Sequence, residues 1–180
     1  MSVFTNPASS SREDASSYTA AVLGLLGDQK PFDVLSRTPA ALNRAMRGVS
    51  PRQLARREAP AKWSIKHVLR HLADSEVVWA WRLRLILAHD RPTITGYDQD
   101  AWANRLGYDD ANPKDSLADF TTLRKSNLRL VKRASPADLQ RVGIHSERGE
   151  ESVAHLVKLY AGHDILHLNQ IARIRKSFQA

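Results

Sequence analysis

The C-terminal part of the chain constrains its fold most, because residues 150–177 predict one long uninterrupted helix. This segment contains no proline and a single glycine, Gly162. Apolar residues recur there every three or four positions, which is the spacing of an amphipathic helix. These apolar positions are Val153, Leu156, Leu159, Tyr160, Leu166, Ile171, Ile174 and Phe178. The chain is therefore expected to bury one face of a long C-terminal helix.

Two histidines, His163 and His167, fall in the middle of that apolar face. Residues four apart on a helix differ by about 40° in direction, so both imidazoles point the same way. Imidazoles on a buried face lose water, which is unfavourable unless each gains a partner. One shared metal ion would satisfy both rings, and this spacing suits two ligands of one cation. The alternatives are two hydrogen-bonded core histidines or a solvated groove.

The remainder of the chain also predicts helices. Ser64 and Asn112 are good N-cap residues, and Pro113 suits a first helical turn. No segment shows the alternation of a β-strand, and residues 91–111 and 140–149 are predicted to be loops. The predicted helices cover residues 18–26, 31–48, 64–88, 113–134 and 150–177. We therefore expect an all-α protein, an antiparallel four-helix bundle.

A single domain is expected for a chain of 180 residues. Residues 1–17 are rich in serine and predict a flexible N-terminal arm, and residues 18–180 predict the bundle domain.

Composition excludes several functional classes. There is no cysteine, so disulfides, thiolate ligands and a cysteine nucleophile are excluded, which fits a reducing, cytoplasmic location. No apolar run has the length of a membrane span. The net charge is +8, yet the arginines are scattered and no aromatic-interleaved basic patch is present. We therefore expect a solvated basic surface and disfavour a nucleic-acid partner.

A catalytic metal site commonly has three protein ligands, so a third histidine is expected from another helix. His67 and His71 are candidates, and they form a second pair with four-residue spacing. The spacing alone does not choose between them. On the helical wheel His71 lies at the shoulder of the apolar stripe, whereas His67 lies further out in the first turn. We therefore prefer His71, and its alternative role is a core-edge histidine bonded to a backbone carbonyl.

Two segments of the sequence resemble the paired motifs of the DinB-like (YfiT-like) superfamily. Residues 62–76 contain Trp63-Ser64 followed by His71-Leu72, Asp74 and Glu76. Residues 162–171 resemble the closing H-x-x-x-H-x-x-Q-I motif of that family. The resemblance extends over nearly the whole chain, from about residue 18 to residue 174.

The resemblance implies a four-helix bundle with one divalent metal ion, zinc or nickel, in a groove at one end. Its ligands would be His71, His163 and His167, in agreement with the wheel. Members of the superfamily include thiol-dependent S-transferases and proteins described as hydrolases. The implied partners are a small-molecule substrate and, for a transferase, a low-molecular-weight thiol; many bundles of this family pair as homodimers.

Candidate catalytic residues are less well defined than the metal ligands. Asp98 and Asp100 lie in the long loop, Glu76 and Asp164 lie on predicted helices, and His145 precedes the last helix. Each could act as a general base or orient a ligand. Carboxylates in such positions are more often structural or solvated, and the alternative for His145 is a histidine in a surface loop. Two further possibilities are a non-catalytic bundle stabilised by its metal and an interaction module with a basic surface.

Overall fold

The computed structural model describes residues 12–178, most of which are helical. In chain order the elements are α1 (Arg12–Leu26), α2 (Pro31–Met46), α3 (Pro51–Ala55), α4 (Ile65–Ala88), β1 (Thr93–Ile94), α5 (Gln99–Arg105), α6 (Pro113–Arg133), α7 (Pro136–Gln140), β2 (Val142–His145), β3 (Gly149–Ser152) and α8 (Val153–Lys176). The helices α2, α4, α6 and α8 pack against one another, and α1 packs along α8. The predicted all-α four-helix bundle is confirmed.

The long helices begin where capping chemistry predicts. The Ser64 side chain accepts a hydrogen bond from the His67 backbone N–H and so caps α4. Asn112 caps α6 through the Lys114 N–H, and Pro113 occupies the first position of that helix. No described helix is both long and apolar enough to cross a membrane.

Two local predictions differ from the structure. The first helix begins at Arg12, inside the predicted flexible arm, and residues 1–11 of that arm lie outside the described residues. The prediction that strands are absent is wrong, because β2 and β3 form an antiparallel hairpin and β1 pairs in parallel with β2. Strands of two to four residues are too short to show an alternating pattern. This small sheet joins the two segments that were predicted to be loops.

The core of the bundle is two apolar halves separated by a polar layer. One half contains Trp79, Leu83 and Leu156, and the other contains Leu69 and Ile171. At the level between them, α4 carries Asp74, Ser75 and Glu76, α6 carries Arg124 and Asn127, and α8 carries His163, Asp164 and His167. The histidines that are of interest therefore belong to a polar layer within the bundle rather than to an isolated surface patch.

A network of charges ties the three helices together in this layer. Arg124 donates from Nη2 to Glu76 Oε1 at 2.8 Å and to Asp164 Oδ1 at 2.9 Å. Asn127 Nδ2 donates to Glu76 Oε2 at 3.0 Å. Burial raises the pKa of Glu76, and the charge of Arg124 offsets that effect only in part. These contacts hold the segment around Asp164 in place, and His163 is its immediate neighbour.

Replacing Gly162 by alanine is expected to destabilise the fold. Gly162 lies where α8 meets α1, and a Cβ atom there would be 2.2 Å from the Val22 carbonyl oxygen. The helices must separate to accept it, so we expect a loss of about 1–3 kcal/mol in the free energy of unfolding, measured in urea. Gly24→Ala on α1 is the matched control, because nothing lies within 4 Å of its added Cβ. Equal stability of the two variants would contradict the close packing of α1 on α8.

Candidate metal centre

Three imidazoles meet in the polar layer. His71 comes from α4, and His163 and His167 come from successive turns of α8. His163 Nε2 lies 3.1 Å from His71 Nε2 and 3.1 Å from His167 Nε2. Together they form a group of metal-ligating type, with one nitrogen from each ring and all three nitrogens within 4.8 Å. The structure thus brings together the three residues that were predicted as ligands.

The protonation of these rings favours a shared cation. Burial lowers the pKa of His71 and of His163 well below the ordinary value, and it lowers the pKa of His167 to about 4. All three rings are therefore neutral near pH 7. A neutral His163 has at most one proton on Nε2, so it cannot donate to both neighbouring nitrogens. A cation accepts all three lone pairs at once.

Two of the three nitrogen separations also fit the geometry of a metal ion. Zinc–nitrogen bonds of 2.0–2.1 Å at tetrahedral angles place two ligand nitrogens about 3.3 Å apart. The observed separations of 3.1 Å from His163 are close to that value. Among the described residues, no carboxylate joins the group. Three protein ligands without a fourth are typical of catalytic sites, whereas structural zinc sites have four.

Gln170 orients one of the three rings. Its Oε1 atom lies 2.8 Å from His167 Nδ1, so that nitrogen donates its proton and Nε2 keeps its lone pair. The Nδ1 atoms of His71 and His163 are buried and have no partner among the described residues. Trp63 packs on His71 with ring centroids 4.8 Å apart and restricts that ring by contact instead.

Removing the Gln170 side chain is expected to weaken metal binding without abolishing it. Groups that hold a ligand histidine by its second nitrogen typically contribute 10–100-fold in metal affinity, and we expect a loss of about that size for Gln170→Ala. Competition against a chromophoric chelator measures the change. The neighbouring Asn169 is exposed, so Asn169→Ala is the control and should bind as the parent does. Identical affinities in the two variants would show that the Gln170 contact does not orient His167.

A cavity of about 80 Å³ adjoins the histidines. His71 and His163 line it, together with Ser75 and Tyr97. Ser75 Oγ lies 3.5 Å from His71 Nε2 and 2.9 Å from the Tyr97 hydroxyl. Burial raises the pKa of Tyr97, so its hydroxyl remains protonated near pH 7 and can donate a hydrogen bond. Two hydroxyl groups therefore stand beside the candidate metal centre.

The two foremost candidate catalytic residues, Asp98 and His145, are not among the residues that line this cavity. Asp98 is exposed and caps α5 by accepting from the N–H groups of Asp100 and Ala101. His145 is buried in β2, and burial with the nearby Arg148 and Arg82 charges lowers its pKa to about 3. Neither Asp98 nor His145 lines the cavity. A role for either as a general base remains a prediction that this arrangement does not favour.

The other candidates also have structural partners. Glu76 and Asp164 both bind Arg124. His67 is buried beside its own helix cap, with Nδ1 2.7 Å from Ser64 Oγ and Nε2 3.0 Å from Arg57 Nη2. These contacts occupy both ring nitrogens of His67 and place it outside the three-histidine group.

Sequence reasoning missed several residues that line the cavity. Arg82 lies on α4, and Gln99 and Arg148 come from the segments predicted as loops. A signal for Arg82 was present, because position 82 is about three helical turns from His71 and so lies on the same face. No local signal marked Arg148, since the pairing of β1 with β2 brings its segment to the cavity.

Comparison with known proteins agrees with this geometry. A family model described as the DinB superfamily matches residues 35–171. The chain belongs to the DinB superfamily. The resemblance noted in the two histidine motifs is thereby confirmed.

Two bacterial proteins are similar to this DinB-superfamily chain over most of its length. A Bacillus mycoides protein named "Putative metal-dependent hydrolase" is 31% identical over 139 residues, which is 77% of this chain and 79% of that protein. An Oceanobacillus iheyensis protein with the same description is 32% identical over 114 residues, covering 63% of this chain and 66% of that protein. This chain is thus similar to proteins whose names describe metal-dependent hydrolysis.

A solved structure is also similar. YfiT from Bacillus subtilis, described as a probable metal-dependent hydrolase with an unusual four-helix bundle topology, aligns with a TM-score of 0.78 and 25% identity. The alignment covers 83% of this chain and 86% of YfiT. The bundle architecture of this DinB-superfamily chain is therefore shared with a solved relative.

Proposed function

We propose that this chain is a metal-dependent hydrolase of a small molecule, in which His71, His163 and His167 hold one divalent cation, zinc or nickel. The observation that carries the proposal is the convergence of three Nε2 atoms beside a cavity that His71 and His163 line, with no fourth His, Cys, Asp or Glu ligand among the described residues. The names of the relatives support the same reaction class.

The cation would supply Lewis acidity, activating water as a nucleophile near neutral pH and polarising the bond to be cleaved. The protein side chains would orient the metal ligands and bind the substrate. Gln170 fixes the tautomer of His167, and Trp63 restricts the ring of His71. Ser75 and Tyr97 present hydroxyl groups next to the ligand nitrogens, where they can donate to an oxygen of the substrate.

The predicted thiol-dependent S-transferase is the alternative outcome for the same site. A cation held by three imidazoles would also deprotonate a bound thiol. Since the chain has no cysteine, that thiol would be a co-substrate. No feature of the cavity identifies a thiol subsite, so hydrolysis is the function we propose. The homodimer implied by the resemblance and the cytoplasmic location indicated by the absence of cysteine remain predictions, which sedimentation and cell fractionation would test.

The proposal is tested with metal-free protein that is reloaded with zinc or nickel. Hydrolysis of p-nitrophenyl acetate and p-nitroacetanilide would be compared with conjugation of cysteine to monochlorobimane. We expect ester or anilide hydrolysis that needs the metal and is lost in His163→Ala but kept in His155→Ala, which changes a histidine of α8 outside the group. Metal-dependent conjugation without hydrolysis would replace the proposal by the S-transferase. A stoichiometric metal without either reaction would favour the structural role.

A further inference from the structure

Arg82 is a buried cation without a neutralising carboxylate among the side chains that the structure describes. Its side chain is within the bundle, with only 5% of the residue exposed. Nη2 donates to the Thr95 carbonyl oxygen at 2.6 Å and lies 3.2 Å from His145 Nε2. The Glu147 N–H already faces His145 Nδ1 at 3.1 Å, and a neutral imidazole has one accepting nitrogen. Thr95 is therefore the one acceptor that Arg82 reaches in either tautomer.

The remaining donors of Arg82 are unused. Its Nε atom is buried without a hydrogen-bond partner among the described residues. Within residues 15–178, whose side chains the structure describes, no carboxylate lies within 4.0 Å of this guanidinium, whereas Arg124, which is also buried, binds two. An unpaired buried charge is unfavourable, and an anionic ligand in the cavity would supply the missing partner.

The position of Arg82 relates it to the histidines. Arg82, Ser75 and His71 share one face of α4, since eleven residues correspond to about three turns. That separation is roughly 16 Å between Cα atoms. Both side chains lean towards the N-terminus of the helix, and the longer arginine side chain therefore brings its guanidinium closer to the imidazole of His71. Arg82 and His71 line the same cavity. One small molecule can therefore contact both.

Other cavity residues suit a ligand with two different ends. Val22 and Leu159 provide apolar surface, which suits a hydrocarbon segment. Arg148 also lines the cavity, and Glu151 neutralises it through a bond to Nε at 2.6 Å. Glu147 is the acidic lining residue, and its carboxylate lies against Gly96. Among the described residues that line the cavity, Arg82 is thus the arginine whose charge is not neutralised by a carboxylate of the protein, and it can bind an anionic ligand.

We propose that Arg82 binds the carboxylate of the substrate, and that the bond to be hydrolysed lies a few atoms away at the three histidines. This inference rests on the proposed function and narrows it to substrates that combine a short hydrocarbon segment, a carboxylate and a hydrolysable group. A guanidinium suits this role because it binds carboxylates with several aligned N–H donors.

The test uses zinc-loaded protein and hydroxamates, whose head group binds the metal. Monohydroxamates of succinic and adipic acid carry a carboxylate tail, and the corresponding amides carry a neutral tail of the same shape. Calorimetry should show about 10- to 100-fold tighter binding of the carboxylate form at one of the two chain lengths. Arg82→Met should remove this preference, while Arg84→Met, which changes an exposed arginine of α4, should keep it.

Acetohydroxamate has no tail, so it tests the metal centre separately from the carboxylate site at Arg82. It should bind the parent and Arg82→Met equally, because it reports on the metal centre alone. If the parent binds acetohydroxamate but does not distinguish the carboxylate from the amide tail, the Arg82 inference is overturned, whether or not Arg82→Met folds. If acetohydroxamate does not bind the zinc-treated parent, the proposed metal centre fails instead. In that case, the binding of adipate to parent protein treated with a chelator tests the carboxylate site separately. Saturable binding that is lost in Arg82→Met supports a carboxylate site at Arg82. Absence of adipate binding to the parent overturns that site.

Discussion

His163→Ala is expected to abolish stoichiometric binding of zinc or nickel and, with it, any metal-dependent hydrolysis. His163 Nε2 lies within 3.1 Å of both other candidate nitrogens, so its removal leaves two imidazoles. Loss of a group that only orients a ligand costs 10–100-fold in affinity, and loss of the ligand itself should exceed about 100-fold. Elemental analysis of protein purified without an affinity tag measures the metal content directly.

Two further variants make this result specific to the proposed ligand set. His71→Ala should lose the metal in the same way, because it removes the ligand contributed by α4. His67→Ala should retain the metal, since that ring bonds to Ser64 and lies beside Arg57 outside the group. Near-stoichiometric metal in His163→Ala would refute the three-histidine site. Loss of metal in His67→Ala with retention in His71→Ala would assign the third ligand to the other member of the pair.

Arg124→Met is expected to cost about 3–5 kcal/mol in the free energy of unfolding, the largest effect on stability that we predict. The change leaves Glu76 and Asp164 buried without their shared cation, and uncompensated buried charge is strongly destabilising. Urea unfolding followed by circular dichroism provides the measurement. Arg129→Met on the same helix is the control; Arg129 is exposed, so a change within about 0.5 kcal/mol is expected.

A double variant tests the cause of that loss. Adding Asp164→Asn to Arg124→Met removes one of the two stranded charges, so part of the lost stability should return. Additive losses would show that packing of Arg124, rather than its charge, holds the layer. Arg124→Met as stable as Arg129→Met would contradict the network altogether. A partly unfolded layer would also displace His163, so metal content should be measured only where the variant is folded.

The buried charge network adjoins the candidate metal centre in both α4 and α8. Arg124 binds Asp164, and Asp164 is adjacent in sequence to His163. Glu76 likewise follows Ser75, which stands beside the ligand nitrogens. Rigid support of this kind keeps ligand side chains within the tolerance that metal binding requires. The contacts of Arg124 and Asn127 with Glu76 and Asp164 thus link α4, α6 and α8 at the level of the site.

Local signals in the sequence predicted the long helices and favoured the three-histidine group. Helical periodicity, N-caps such as Ser64 and Asn112, and proline positions are local signals, so they identify helices without knowledge of packing. The same periodicity placed His163 and His167 on one face and favoured His71 over His67. The structure brings His71 to the α8 pair and leaves His67 at its helix cap.

The cavity residues around those histidines are known only from the tertiary structure. The pairing of Ile94 with His145 joins segments far apart in sequence, and this sheet brings Tyr97 and Arg148 to the cavity. Local patterns do not encode such non-local pairing, and strands this short lack a detectable alternation. Burial likewise distinguishes Arg82 and Arg124 from exposed arginines of the same helices. Whether a charge is paired depends on side chains from other helices, and for that physical reason the sequence alone could not assign their roles.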